Sequence, residues 1–174
     1  MSEVFYYLIC LGLLLFVNHT FIPNPPKGAV SMLVKDIMTP NLITANQADT
    51  ASRAARLLYR HNIGAVAVLG NDGKIRGIVT DRDLALRCIA AENDPEETTL
   101  RDVMSRCVIT CEATDTLEDA VKKMEDAQIR RIPVTENGKP AGMLTLGDIA
   151  KNNSCQSLSS HALSEISSNL HKLR

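Results

Sequence analysis

The chain carries one pattern twice, and this duplication restricts what its 174 residues can fold into more than any other property. At an offset of 66, Asp36 falls on Asp102, Met38 on Met104, Ile43-Thr44 on Ile109-Thr110, Asp49-Thr50 on Asp115-Thr116, Ala54 on Ala120, Ile63 on Ile129 and Val68 on Val134. After one residue is lost the offset is 65, and Gly73 matches Gly138, Gly77 matches Gly142, Thr80 matches Thr145, Asp83 matches Asp148 and Ala85 matches Ala150. Both copies therefore fold alike, and any site built by one has a counterpart in the other.

Local signals give each copy the same elements. A short extended piece at Ile43-Thr44 or Ile109-Thr110 precedes a helix that starts near Thr50 or Thr116, where Thr116-Leu117-Glu118-Asp119 has capping-box spacing. The helix faces, Ala51, Ala54, Ala55, Leu58 and Leu117, Ala120, Val121, Met124, follow the i, i+3, i+4, i+7 rule. Two strands follow, Ala65–Leu69 with Ile75–Thr80 across Asn71-Asp72-Gly73, and Ile132-Pro133-Val134 with Ala141–Thr145 across Asn137-Gly138. A second helix runs over Asp81–Ala91 and Leu146–Lys151. One β-α-β-β-α unit is too small to hold a sufficient core alone. The fold class expected is α/β (α+β), two half-domains packed face to face about a pseudo-twofold axis, with two related clefts at the seam. The expected division is an N-terminal segment over 1–31, repeats over 32–91 and 100–152, an acidic exposed linker over 92–99 and a Ser-rich tail over 153–174.

The residues that carry chemistry close the second hairpin strand, Gly77-Ile78-Val79-Thr80-Asp81-Arg82-Asp83 and Gly142-Met143-Leu144-Thr145-Leu146-Gly147-Asp148. Glycine admits a ligand or another backbone at close range. The threonine marks the strand-to-helix corner, and the aspartate in the first helical turn has acceptor oxygens enough for both hydroxyls of a ribose. A helix N-terminus offers backbone N–H groups to a phosphate. Thr80-x-x-Asp83 and Thr145-x-x-Asp148 also read as simple capping boxes, and the two roles are compatible in one residue.

In order, spacing and duplication, these units resemble a tandem cystathionine-β-synthase (CBS) domain pair, or Bateman module, over Met32 to Asn152. Each opens on Asp-Ile-Met-Thr or Asp-Val-Met-Ser and closes on Gly-x-x-Thr-x-x-Asp. The chain is similar to small stand-alone bacterial CBS-pair proteins. The resemblance implies clefts for adenosine-containing ligands, AMP, ADP or ATP and in some members S-adenosylmethionine or NAD. It assigns Thr80 and Asp83 to one ribose-phosphate site and Thr145 and Asp148 to the other, with the adenine held near Ile43, Thr44, Ala65 and Val66, and near Ile109, Thr110, Ile132 and Pro133. Arg82, Arg130 and Arg131 are candidates for phosphate pairing. The copies differ: Val66-Ala67-Val68 stands opposite Ile132-Pro133-Val134, and Arg82 opposite Gly147. The two clefts are therefore not equivalent.

Composition closes off other classes. A net charge of -1 gives no footprint for a phosphate backbone, so nucleic acid is excluded as a partner. After Phe5, Tyr6, Tyr7, Phe16 and Phe21 the only aromatic is Tyr59, so a bound base meets aliphatic side chains and backbone. No nucleophile-base arrangement stands out, and Cys10, Cys88, Cys107, Cys111 and Cys155 lack zinc-site spacing and read as free thiols of a cytoplasmic protein. No catalytic residue and no metal ligand is assigned. Val4–Val17 is an apolar run of 14 residues, short of the roughly 20 a bilayer span needs. It is open as a membrane tether through residues 4–22, a packing segment, or an extension upstream of a start at Met32. The tail has Leu163, Ile166, Leu170 and Leu173 at amphipathic-helix spacing among seven serines, and Ser-rich disorder competes with a helix. Three functional readings stand: a ligand-sensing homodimer acting on a regulated protein partner, a structural dimerisation module with vestigial clefts, and a membrane-tethered accessory subunit.

Overall fold

The computed structural model describes residues 32–168; the N-terminal apolar run, Cys10, Leu170 and Leu173 lie outside them. The elements in chain order are α1 (Val34–Ile37), β1 (Thr39–Pro40), β2 (Thr44–Asn46), α2 (Ala51–His61), β3 (Ala65–Leu69), β4 (Ile75–Thr80), α3 (Asp81–Leu84), a π-helical turn over Ala85–Ile89, α4 (Leu100–Val103), β5 (Cys111–Glu112), α5 (Leu117–Asp126), β6 (Arg131–Glu136), β7 (Lys139–Thr145), α6 (Leu146–Lys151), a 3-10 turn over Asn153–Cys155, and α7 (Gln156–Ser168). The chain is a mixed α/β fold of two repeats.

Local chemistry sets the boundaries. Thr50 and Thr116 cap α2 and α5, their side chains accepting from Arg53 N at 3.2 Å and Asp119 N at 3.1 Å. One residue earlier, Asp49 and Asp115 close the preceding turns by accepting from Asn46 N at 2.7 Å and Glu112 N at 3.1 Å. In the second hairpin Asn137 and Gly138 both take positive φ, 53° and 74°, as a two-residue turn matched to strand twist requires. The extended piece of each repeat starts later than Ile43-Thr44 and Ile109-Thr110 suggest, at Thr44 and Cys111, and the second helix of the first repeat ends at Ile89 rather than Ala91.

Each repeat holds a β-β hairpin with its preceding short strand added in parallel: β2-β3-β4 in one sheet, and β5-β6-β7 with β1 on the outer edge of β7 in the other. The registers correspond, Ala65 facing Thr80 and Arg131 facing Thr145.

The repeats do more than stack face to face, because they exchange their opening segments. Val34 N and Lys35 N donate to Asp115 O and Ala113 O, both at 3.0 Å, and Leu100 N and Arg101 N donate to Asp49 O and Gln47 O at 2.8 and 3.1 Å. Fully buried Val34 joins the core of Leu117, Met124, Ile132 and Leu144, while fully buried Leu100 joins Ala54, Val66, Val68 and Val79. Burying each such side chain stabilises by about 1.5–3 kcal/mol, so neither core is complete without the other repeat. β1 pairs with β7, and Ser105 exchanges two backbone bonds with Ile78 at the equivalent edge.

This exchange explains the two motif glycines. A Cβ on Gly77 would stand 2.3 Å from Met104 Sδ, and one on Gly142 would stand 2.6 Å from Thr39 O and 2.9 Å from Met38 Sδ. The Asp-x-Met opening of each repeat thus lies on the glycine that closes the other.

The tail forms α7 rather than disorder. Its buried face is Ser159, Ala162 and Ile166, against the second repeat's core, and Leu163 stays half exposed.

Candidate functional site

A cleft of about 680 Å³ opens between the repeats. One wall is the first repeat's Thr39–Ile43 and Asn62–Ala65, the other is Arg130, Arg131, Met143 and the β7–α6 corner Thr145–Asp148, and α7 adds Ser159, Ser160 and Leu163. The volume is in the range of small-molecule sites.

At the corner, Asp148 Oδ2 accepts from Thr145 N at 3.0 Å and Thr145 Oγ1 at 2.6 Å, while Thr145 Oγ1 accepts from Asp148 N at 3.1 Å. The capping box is real, and it consumes one carboxylate oxygen and the threonine proton. Asp148 Oδ1 remains, its nearest cation being Lys151 Nζ at 3.9 Å on a side chain 83% exposed. With two lone-pair directions, that oxygen can accept from two neighbouring hydroxyls. Thr145 therefore acts by aiming the carboxylate. The first-turn amides are largely spent as well, Leu146 N on Arg130 O at 3.1 Å and Asp148 N on Thr145 Oγ1.

Positive charge comes from Arg130 and Arg131. Neither has an ion-pair partner among the described residues, and the Arg131 guanidinium lies against Gly64, where a Cβ would stand 2.5 Å from its Nη1. Two unpaired guanidiniums beside apolar Ile43, Ile63, Ala65 and Met143 make a site for a ligand with an anionic group, a hydroxylated middle and an apolar end.

Of the residues singled out from sequence, Ile43, Ala65, Arg130, Arg131, Thr145 and Asp148 line this one cleft. It is built across the pseudo-twofold, with base-side residues from the first repeat and the carboxylate from the second. Val66 and Ile132 are wholly buried in the two cores, because successive strand residues point to opposite faces. Thr44 pairs with Ala67 in the β2–β3 ladder, and Pro133 is buried in β6. Thr80, Asp83, Ile109 and Thr110 hold the related positions on the other side of the pseudo-twofold, and Arg82 is exposed there. Sequence reading missed Asn62 to Gly64 and all of α7, although Leu163 was visible as an apolar residue in the tail.

The described cysteines are free thiols: Cys107 is exposed and Cys88, Cys111 and Cys155 are buried. Burial pushes the Cys111 thiol up to about 11, and burial also raises that of Cys155. Among the described residues no three His, Cys, Asp or Glu side chains gather as a metal group, and no helix is long and apolar enough to cross a membrane.

Two half-domains with exchanged openings and a Gly-x-x-Thr-x-x-Asp corner in each define a CBS-domain pair. The CBS domain profile matches residues 34–89 and 100–154, and the chain belongs to that family. It is 37% identical over 139 residues to the CBS domain-containing protein YhcV of Bacillus subtilis, spanning 79% of this chain and 98% of that protein. Its fold is similar to the crystal structure of Hypoxic Response Protein I with two coordinated zinc ions, at a TM-score of 0.64 and 29% identity over 70% of this chain and 98% of that one. It is also similar to the CBS domain pair of protein MJ0100 in complex with methylthioadenosine and S-adenosyl-L-methionine, at a TM-score of 0.63 and 30% identity over 70% and 94% of the two chains.

Proposed function

We propose that the chain is a non-catalytic cytoplasmic sensor that binds an adenosine-containing ligand, AMP, ADP or ATP first among them, in the Thr145–Asp148 cleft. The observation that carries this reading is the open Asp148 Oδ1 facing a cavity that also holds two unpaired arginines. The ribose hydroxyls donate to Asp148 Oδ1, Arg130 and Arg131 meet the phosphate, and the adenine rests against Ile43 and Ala65. Both ligands named for the MJ0100 pair contain adenosine, which supports the same class here.

Because the cleft joins both repeats and α7, a ligand that draws its walls together changes how these parts sit, and a protein partner can read that change. In this reading residues 32–91 and 100–152 are the sensing pair, 92–99 link them and the tail closes the cleft. Tyr59, Leu86 and Ile89, at 90%, 54% and 62% exposure on the first repeat's helices, supply an apolar face for a homodimer.

Calorimetric titration with AMP, ADP, ATP and S-adenosylmethionine tests the proposal: at least one gives saturable heat that Asp148→Ala abolishes. No heat and no thermal shift with any of them overturns it in favour of a structural dimerisation module.

A further inference from the structure

The second corner repeats the first in every hydrogen bond of its cap, yet its carboxylate is not open. Asp83 Oδ2 accepts from Thr80 N at 2.9 Å and Thr80 Oγ1 at 2.7 Å, as in the other repeat. Asp83 Oδ1 forms an ion pair with Arg87 Nη1 at 3.3 Å. The same guanidinium nitrogen donates to Val103 O at 2.7 Å and to Ser105 Oγ at 3.2 Å. Ser105 is the repeat counterpart of Thr39, which lines the open cleft. Arg87 therefore bridges the Asp83 carboxylate and the Val103–Ser105 segment.

The difference comes from one position and the helix that presents it. Arg87 lies in the π-helical turn Ala85–Ile89, which keeps it on the face of Asp83 one turn further on. Its counterpart at an offset of 65 is Asn152, where the helix has ended and the backbone is extended at φ -88° and ψ 115°. The Asn152 side chain turns to Ser154 N at 3.0 Å and Met32 Sδ at 3.7 Å, leaving Asp148 Oδ1 open.

We propose that Arg87 is an internal occupant of the second cleft, so that the chain binds one ligand, at Asp148, and the Asp83 cleft is a latent site of the same adenosine class that opens when Arg87 is removed. An ion-paired guanidinium already stands against the oxygen a ribose would use, and an incoming diol must displace it together with its two hydrogen bonds, to Val103 O and Ser105 Oγ. This rests on the reading of the Asp148 cleft as the ligand site.

The test is stoichiometry by calorimetry on the full chain, with AMP, ATP and S-adenosylmethionine as probes. The wild type takes one equivalent of whichever probe it binds. Arg87→Ala and the longer, uncharged Arg87→Gln each take two, and the second equivalent disappears when Asp83→Asn is added. Two equivalents on the wild type, or one on both Arg87 variants with melting curves still cooperative, overturns the role of Arg87 and leaves the sensing reading intact. A wild type that binds none of the probes overturns the sensing reading itself, and this inference with it.

Discussion

Replacing Asp148 by Asn separates the two duties of that carboxylate. The amide oxygen can take the place of Oδ2 and keep the bonds from Thr145 N and Thr145 Oγ1, at 3.0 and 2.6 Å, so the cap survives. What changes is the open position, where Oδ1 gives way to an NH₂ group that donates instead of accepting. The fold loses only the charge near a helix start, about 0.3–1 kcal/mol. The ligand loses two hydrogen bonds to a charged acceptor, each worth about 1.5–3 kcal/mol, and the loss of even one raises Kd roughly 10- to 150-fold. Titration of Asp148→Asn against wild type with the tightest adenosine probe, beside thermal melts of both, measures both effects. Asp83→Asn is the control, and its Kd stays within about twofold, since Oδ1 there already serves Arg87. Unchanged affinity in Asp148→Asn with an intact melt, or equal weakening in Asp83→Asn, would refute the assignment of the ribose to Asp148 Oδ1.

The exchanged openings make Leu100→Ala a core mutation of the first repeat, costing about 2–5 kcal/mol in urea unfolding; a loss below about 1 kcal/mol contradicts the exchange. Gly142→Ala places a methyl group against the Thr39 carbonyl, whereas at Gly77→Ala the nearest atoms are those of the flexible Met104 side chain. Overpacking of this kind costs about 1–3 kcal/mol, and the Gly142 variant is the less stable of the two in chemical denaturation because backbone yields less than methionine. Burial holds Cys111 protonated, with its pKa up to about 11 against 9.0, so this thiol favours the folded state below pH 9 and loses that contribution as pH rises from 9 to 11. A thiol reagent at pH 8 modifies exposed Cys107 within minutes and Cys111 only on unfolding; equal rates refute the burial of Cys111. Leu86→Glu lowers the sedimentation coefficient if this face joins two copies, and an unchanged value removes the face from the dimer.

What the sequence revealed and what it hid divide along local and non-local lines. Helix starts at Thr50 and Thr116 and the turn at Asn137-Gly138 are set by residues within four positions, so a repeat of those signals reads directly as a repeat of structure. Nothing local in Val34-Lys35-Asp36 says that its valine belongs to the other repeat's core. The motif glycines were legible as places of close approach, but what approaches is Met38 or Met104, brought there only by the fold. The same holds for the cleft. Its residues recur in both copies, yet one corner is open and the other tied because of Arg87 against Asn152, four positions beyond the motif, where a difference between repeats carries no signature of its own. Parity within a strand decided the rest: Ala65 faces the cleft and Val66 the core, although both stand in one apolar run.

The most direct measurement is a crystal structure of the full chain grown with the adenosine compound that binds it most tightly. The expected density is one adenosine per chain, ribose hydroxyls on Asp148 Oδ1, base against Ile43 and Ala65, with Arg87 still on Asp83. Adenosine seated on Asp83 with Arg87 displaced, while the Asp148 cleft holds none, would contradict it.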